Sequence, residues 1–189
     1  MWTRLILTLS LCALAGCLSQ RSPATVRWFV PEVPEFEVGG SGADRIVLLQ
    51  PVQASSHIGR PMVWRLSGVE ILFDELSQWG AEPEALVEEA LSEALFVQGP
   101  FRSSGLGQTG TVGLNVELQA FEGVLEGELR AHAELVARLR IQGVEETRRF
   151  TASARMENRD AESLAEAMGD VLHELARDVR SFVGERVSK

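Results

Sequence analysis

The chain has 189 residues, a formal net charge of −9 at pH 7 and two cysteines, Cys12 and Cys17. The acidic excess argues against nucleic acid as a partner and against electrostatic docking on anionic lipid, because both depend on clustered Lys and Arg. Both cysteines lie in the first seventeen residues, so the remainder of the sequence offers no thiol for a disulfide or a thiolate zinc site. The length suffices for one domain with its own hydrophobic core.

The N-terminal segment predicts export and lipidation. Arg4 precedes a largely apolar stretch of about eleven residues, too short to span a bilayer but typical of a secretion signal. Residues 14–17 read LAGC and resemble the lipobox of bacterial lipoproteins, in which cleavage precedes a cysteine that becomes acylated. The resemblance implies a signal peptide over residues 1–16, cleavage between Gly16 and Cys17, and fatty acyl chains such as palmitate on Cys17. The alternative is an ordinary secretory signal in which Cys17 is incidental.

Residues 17–44 are expected to form the lipidated N-terminus and a tether. Several prolines and a Gly-Gly-Ser-Gly stretch interrupt any regular pattern there, and only residues 26–30 favour a short strand. Such a tether would hold a domain near its lipid anchor while leaving it mobile. The folded part is then expected to be a single domain over residues 45–189.

Three strands are predicted at the start of that domain. Residues 46–52 form an apolar, β-branched run that indicates a strand buried on both faces. Residues 61–66 and 69–73 predict two further strands, and a Ser-Gly pair between them supplies the turn of a hairpin.

A first helix is predicted from Pro83, because proline suits the first helical position, where an N–H has no intrahelical partner. Apolar residues recur at helical spacing over residues 86–95, and Gly99 with the following proline ends the helix. Trp79 lies just before this helix. A tryptophan in that position most often packs a helix against a sheet.

Three long strands forming a meander are predicted over residues 111–121, 128–141 and 144–156, from apolar residues at every second position. In the first of them the alternation places Val112 and Ala120 on the same inward face. The second is rich in helix-forming residues. Its unbroken period of two outweighs this propensity, which amounts to at most about 0.7 kcal/mol for an ordinary residue.

A long amphipathic helix closes the chain, with Asn158 or Asp160 as its N-cap. The expected fold class is therefore α+β, with two layers: a mainly antiparallel β-sheet and two helices packed on one of its faces.

No motif predicts catalysis or a bound cofactor. Residues 105–110 match the dinucleotide pattern GxGxxG, but that site needs a helix after the loop, whereas a strand follows here. His57, His132 and His173 are scattered, so neither a metal site nor a catalytic triad is supported. We therefore expect no enzyme activity, no cofactor and no metal. An anchored hydrolase would need a pocket with converging polar groups.

The order of these features resembles the auxiliary lipoproteins of ABC-type transport systems, including paraquat-inducible protein C-like proteins. A short aromatic strand at residues 28–30 follows the lipobox, and residues 46–52 look like the family's first core strand. Trp64 lies in the place of its next strand. Trp79 and Pro83 lie in a QWGAEP stretch similar to the family's Arg-Trp-Ala-Glu-Pro signature, although Gln and Gly replace its Arg and Ala. The resemblance implies packing roles for Trp64, Trp79 and Pro83.

The resemblance also implies a function. It is that of a non-catalytic, membrane-anchored docking or scaffold component of a lipid transport system of the mammalian-cell-entry class in the Gram-negative envelope. The implied partners are a mammalian-cell-entry-type substrate-binding protein and an ABC permease/ATPase complex, and a homo-oligomer is left open. Leu18 is not the aspartate that commonly retains lipoproteins at the inner membrane, which predicts an outer-membrane anchor facing the periplasm. The alternative is an unrelated outer-membrane lipoprotein scaffold of a cell-wall or secretion complex.

Overall fold

The computed structural model describes residues 24–38, 45–104 and 112–187, so the LAGC stretch and the GxGxxG match lie outside the described residues. The described residues form strands and two α-helices, the first of which continues into a π-helical turn, Glu93–Val97. The strands are β1 Arg27–Phe29, β2 Ile46–Leu49, β3 Gln53–Ala54, β4 Pro61–Arg65, β5 Ile71–Trp79, β6 Arg102–Ser103, β7 Val112–Val124, β8 Arg130–Ile141 and β9 Val144–Arg155. The helices are α1 Pro83–Ser92 and α2 Ala161–Val187.

Strand β7 is the centre of the sheet. It pairs along one edge with β8, and along the other edge with β2, β3 and β4 in turn. The meander β7–β8–β9 is antiparallel, as predicted. Among the described residues, however, five of the eight strand pairings are parallel, so the sheet is mixed and the prediction of a mainly antiparallel sheet was wrong.

The parallel pairings of β7 follow from the connection through α1. Strands β2 and β4 both precede this helix, and the chain must cross over it before β7 can lie beside them. Parallel pairing needs such a crossover, usually a helix, whereas a hairpin needs only a tight turn. The apolar run at residues 46–52 correctly indicated a strand, but the strand ends at Leu49 and only Val47 in it is buried. The run carries no information about the direction of the strand's neighbour.

Helix α2 forms most of the second layer and packs across β8 and β9, with α1 beside it. Its start is fixed by Asp160, whose Oδ1 accepts a hydrogen bond of 2.8 Å from the backbone N–H of Ser163. Asp160, rather than Asn158, therefore caps the helix. The prediction of an α+β fold with two helices is confirmed.

A register shift in β7 moves one predicted core residue. The pairing with β8 slips between Leu118 and Ala120, so Phe121 is the next buried side chain of the strand, at 1% exposure. Ala120 instead pairs with Glu134, which lies on the face without helices. The prediction that Ala120 faces inward was wrong, because one extra residue in a strand reverses the alternation beyond it.

The segment before β2 lies along α2. Phe36 stacks on His173 with ring centroids 4.6 Å apart, and Arg180 donates a hydrogen bond of 3.0 Å to the carbonyl oxygen of Glu37. Close approach is possible because position 169 is glycine: a Cβ there would collide with the carbonyl oxygen of Glu32. The expected tether thus includes a stretch that is docked on the domain.

Candidate functional site

The sheet face opposite the helices is polar. Outward residues of β7, β8 and β9 form ion pairs between neighbouring strands. These pairs are Arg138–Glu117 at 3.0 Å, Arg149–Glu134 at 2.7 Å and Arg140–Glu145 at 2.9 Å. Each pair contributes at most about 1 kcal/mol to stability because the groups are solvent-accessible. We call this surface the ion-paired face.

A buried ion pair lies at one end of the ion-paired face. Arg65 reaches the carboxylate of Glu122 with two nitrogens, Nε to Oε1 and Nη2 to Oε2, the second at 2.9 Å. Glu122 is only 2% exposed, whereas the Arg65 side chain is 29% exposed. The hydrogen bond to Glu122 raises the pKa of Arg65, although partial burial opposes this shift. The pair is a fixed structural link between β4 and β7.

An open depression of about 550 Å³ borders this pair, and His132 and Ser153 line it. Their Nδ1 and Oγ atoms are 2.9 Å apart, a distance that suits a serine nucleophile and its base. A triad also needs an acid that orients the histidine. Two carboxylates line the depression, Glu122 and Glu126. Both oxygens of Glu122 accept hydrogen bonds from Arg65. Among the described residues, neither carboxylate has a hydrogen bond to His132, so no acid orients this histidine as in a triad.

A second cavity, of about 320 Å³, lies between the docked N-terminal segment and the helices. Phe36, Leu86, Ala90 and Leu172 give it an apolar floor, and glutamates stand at its rim. Among the described residues, no group of three or more His, Cys, Asp or Glu side chains is placed to hold a metal ion.

The structure places the predicted packing residues in the core. Trp79 is fully buried at the end of β5, and its ring meets Phe121 edge-on with centroids 5.0 Å apart. Its Nε1 has no hydrogen-bond partner among the described residues. Trp64 is 6% exposed and lies over Gly123, where a Cβ would collide with its ring. Pro83 is the buried first residue of α1.

The QWGAEP stretch also contacts β1. The backbone N–H of Gly80 donates a hydrogen bond of 2.7 Å to the carbonyl oxygen of Phe29. Arg60 pairs with Glu82 at 2.7 Å, and its guanidinium lies 5.5 Å from the centroid of the Trp28 ring. The stretch therefore ties the N-terminal strand to the hairpin and to α1.

Sequence reasoning missed an apolar edge beside β1. Of the ten exposed large hydrophobic side chains in the described part of the chain, seven lie in two adjacent segments around β1 and β5. We call them the β1–β5 edge: Val26, Trp28, Val30, Val69, Leu72, Phe73 and Leu76. The segments are adjacent because Arg27 pairs in parallel with Ser77. The only sequence signal was the run of apolar and aromatic residues at 26–30.

Comparison with known proteins gives the family. A model of the ABC-type transport auxiliary lipoprotein component matches residues 30–180, well over half of the chain. The chain belongs to this family. It is therefore a membrane-anchored lipoprotein and an auxiliary component of an ABC-type transport system. The resemblance stated from the sequence is confirmed. No curated protein matches the chain.

Solved structures share the fold of this auxiliary lipoprotein. Protein XCC0632 from Xanthomonas campestris, of the DUF330 family model, is 17% identical, with a TM-score of 0.69 over 87% of this chain and 99% of that chain. An uncharacterized protein is 15% identical, with a TM-score of 0.61 over 86% and 99% of the two chains. The hypothetical protein CT253 from Chlamydia trachomatis is 10% identical, with a TM-score of 0.52 over 75% and 96%.

Within the described ranges, neither helix is both long and apolar enough to cross a membrane.

Proposed function

We propose that this auxiliary lipoprotein is a non-catalytic docking component of a lipid transport system of the mammalian-cell-entry class in the Gram-negative envelope. The observation that carries the proposal is the family match over residues 30–180. The site geometry supports a binding role, because the buried carboxylate of Glu122 accepts two hydrogen bonds from Arg65 and so links β4 to β7.

The anchor in this proposal is Cys17. Residues 1–16 are the signal peptide, cleavage follows Gly16, and the acylated Cys17 holds a single domain that extends to residue 189. Two or more acyl chains make such attachment stable. Leu18 directs the lipoprotein to the outer membrane, where the domain faces the periplasm.

The ion-paired face is the proposed docking surface for the substrate-binding protein of the transporter, which in turn contacts the permease and ATPase. Strands β7, β8 and β9 make this face roughly 40 Å long, at about 3.3 Å per residue. Helices cover the opposite face of the sheet. A protein partner with complementary charges can therefore bind here without disturbing the core.

The partner can be tested by affinity capture of the full-length, membrane-extracted lipoprotein in mild detergent. We expect to recover a mammalian-cell-entry-type protein. The variant Arg138→Glu/Arg149→Glu should abolish this capture, because it reverses charge on the ion-paired face. The control Arg177→Glu changes an exposed arginine on α2 and should leave capture intact. Recovery of cell-wall or secretion proteins in place of the transporter would refute the proposal.

Attachment can be tested separately with Cys17→Ala. This variant should be unprocessed, or released into the soluble envelope fraction, because it lacks the acceptor for the acyl chains. If a fully processed Cys17→Ala protein stayed in the outer membrane, the assignment of Cys17 as the anchor would be wrong.

A further inference from the structure

We propose that the β1–β5 edge rests on the surface of the bilayer that holds the lipid anchor. The proposal rests on the assignment of Cys17 as the acylated residue. It adds a definite orientation of the domain: one edge of the sheet lies against lipid, so the domain does not rotate freely on a flexible tether.

The first argument is the concentration of exposed apolar side chains. Single exposed hydrophobic residues are normal on a protein surface, whereas larger exposed apolar patches mark interaction sites. Here seven exposed hydrophobic side chains lie in two adjacent segments. Trp28 is 55% exposed, Leu72 is 51% exposed and Leu76 is 46% exposed. Tryptophan is enriched at membrane interfaces, because its ring is apolar while its N–H can stay hydrated.

The second argument is the length of chain between the anchor and this edge. Seven peptide steps separate Cys17 from Ala24, the first described residue, and they span at most about 25 Å even when fully extended. Residues 26 and 28 of the edge follow directly. The β1–β5 edge is thus the described surface that lies nearest to the anchor along the chain.

The third argument is the direction of β1. It runs parallel to β5, with Arg27 opposite Ser77. Because the strands are parallel, the residues before Arg27 lead back toward the N-terminal half of β5, where Leu72 and Phe73 are exposed. The described chain begins at Ala24, two residues before Val26 of the edge.

Charge decides which lipid surface suits this edge. Arg27 pairs with Glu162 at 3.7 Å, and Arg60 pairs with Glu82 at 2.7 Å. The cations beside Trp28 are therefore already balanced by carboxylates, and the chain as a whole is acidic. The contact should thus be made by apolar side chains with zwitterionic lipid and should depend little on salt.

The test uses the tryptophan distribution of the processed protein. Trp2 is removed with the signal, Trp64 and Trp79 are buried, and Trp28 is exposed. The full-length acylated protein is reconstituted at low density in phosphatidylcholine vesicles, with or without lipid brominated in its acyl chains. We expect the Trp28 component, obtained by subtracting the Trp28→Phe spectrum, to shift to the blue and lose most of its intensity in brominated vesicles.

A matched control places a probe elsewhere on the surface. Val97 is 66% exposed at the end of the π-helical turn, outside the β1–β5 edge. In the Trp28→Phe background, Val97→Trp should keep an emission typical of water and resist the brominated lipid. Equal quenching at both positions, or no quenching of Trp28 in protein that floats with the vesicles, would overturn the proposal.

Other occupants of the edge give different results. The Leu76→Cys variant supplies a thiol while the Cys17 sulfur is blocked by acylation. A disulfide between two copies at low density would show that a second copy, rather than lipid, covers the edge, and would refute lipid contact. If the protein did not float with the vesicles, the assignment of Cys17 as the anchor would be wrong. The proposed orientation, which rests on that assignment, would then be refuted as well.

Discussion

Two glycines of helix α2 should respond in opposite directions to the same substitution. Gly169 lies under the docked N-terminal segment, where a Cβ would collide with the carbonyl oxygen of Glu32. At Gly184 a Cβ fits without collision, because the nearest atom is Cζ of Phe101 at an ordinary van der Waals distance of 4.0 Å. Gly169→Ala should destabilise the protein, and Gly184→Ala should stabilise it.

The magnitudes follow from two terms. Alanine is more favourable than glycine in a helix interior by about 1 kcal/mol, and this gain applies at both positions. At position 169 the N-terminal segment must also move away. This movement exposes Phe36, which is 5% exposed in the native state. Burial of a phenylalanine contributes about 1.5–3 kcal/mol. We therefore expect a net loss of about 0.5–2 kcal/mol for Gly169→Ala and a gain of about 1 kcal/mol for Gly184→Ala.

Thermal unfolding followed by circular dichroism measures this contrast. For a domain of this size, about 1 kcal/mol shifts Tm by roughly 2–4 °C, so the two variants should differ by roughly 3–12 °C. Limited trypsin digestion gives a second measurement, because Gly169→Ala should speed cleavage at Arg27. If Gly169→Ala raised Tm as Gly184→Ala does, the N-terminal segment would not be held against α2 as we describe.

Three further predictions concern the sheet and the helix cap. Arg65→Met should lower the free energy of unfolding in urea by about 3 kcal/mol, because it leaves the buried Glu122 unpaired. The double variant Arg65→Met/Glu122→Met should recover most of this loss. A double variant as unstable as the single variant would contradict the ion-pair argument. Arg138 holds the pKa of the Glu117 carboxyl below its ordinary value of 4.5, mainly by hydrogen bonding. The pair therefore stabilises the folded state above pH 4.5, and this stabilisation is lost as the pH falls through the lowered pKa. Arg138→Met should therefore cost stability at neutral pH and progressively less in acid, and a defect that did not shrink in urea titrations at low pH would refute this linkage. Asp160→Ala should lower the free energy of unfolding by about 1 kcal/mol, because it removes the N-cap. Asp160→Asn should retain most of the stability, because asparagine also caps helices.

Local patterns predicted the elements of this fold well. The period of two over residues 128–141 predicted β8 despite its helix-forming composition, because each apolar side chain has to reach the same buried face. Pro83 and the apolar spacing after it predicted α1. The length of α2 followed from its stripe of apolar residues, most of which are buried. In each case the signal lies within one element, where the period of its side chains is set by backbone geometry.

What could not be predicted depends on contacts between distant parts of the chain. The parallel neighbours of β7 are set by the crossover through α1, and alternation within a strand is the same for either direction. The shift at Ala120 depends on how β7 aligns with β8. The partner of Glu122 is Arg65, which is 57 residues away, and no local pattern links the two. The β1–β5 edge was missed for the same reason: its two segments meet only in the folded sheet.

The two edges of this sheet differ in a way that gives the domain a direction. The β1–β5 edge is apolar and close to the anchor, whereas β9, at the other edge, carries arginines and glutamates on both of its faces. Strands β4, β7 and β8 separate β5 from β9, so the two edges are about 19 Å apart at about 4.8 Å per strand. If the apolar edge lies on lipid, β9 and the ion-paired face beside it project from the bilayer into the aqueous compartment. A lipid-anchored domain with this orientation holds its proposed docking surface where a transporter component can reach it. This arrangement does not require a long flexible tether.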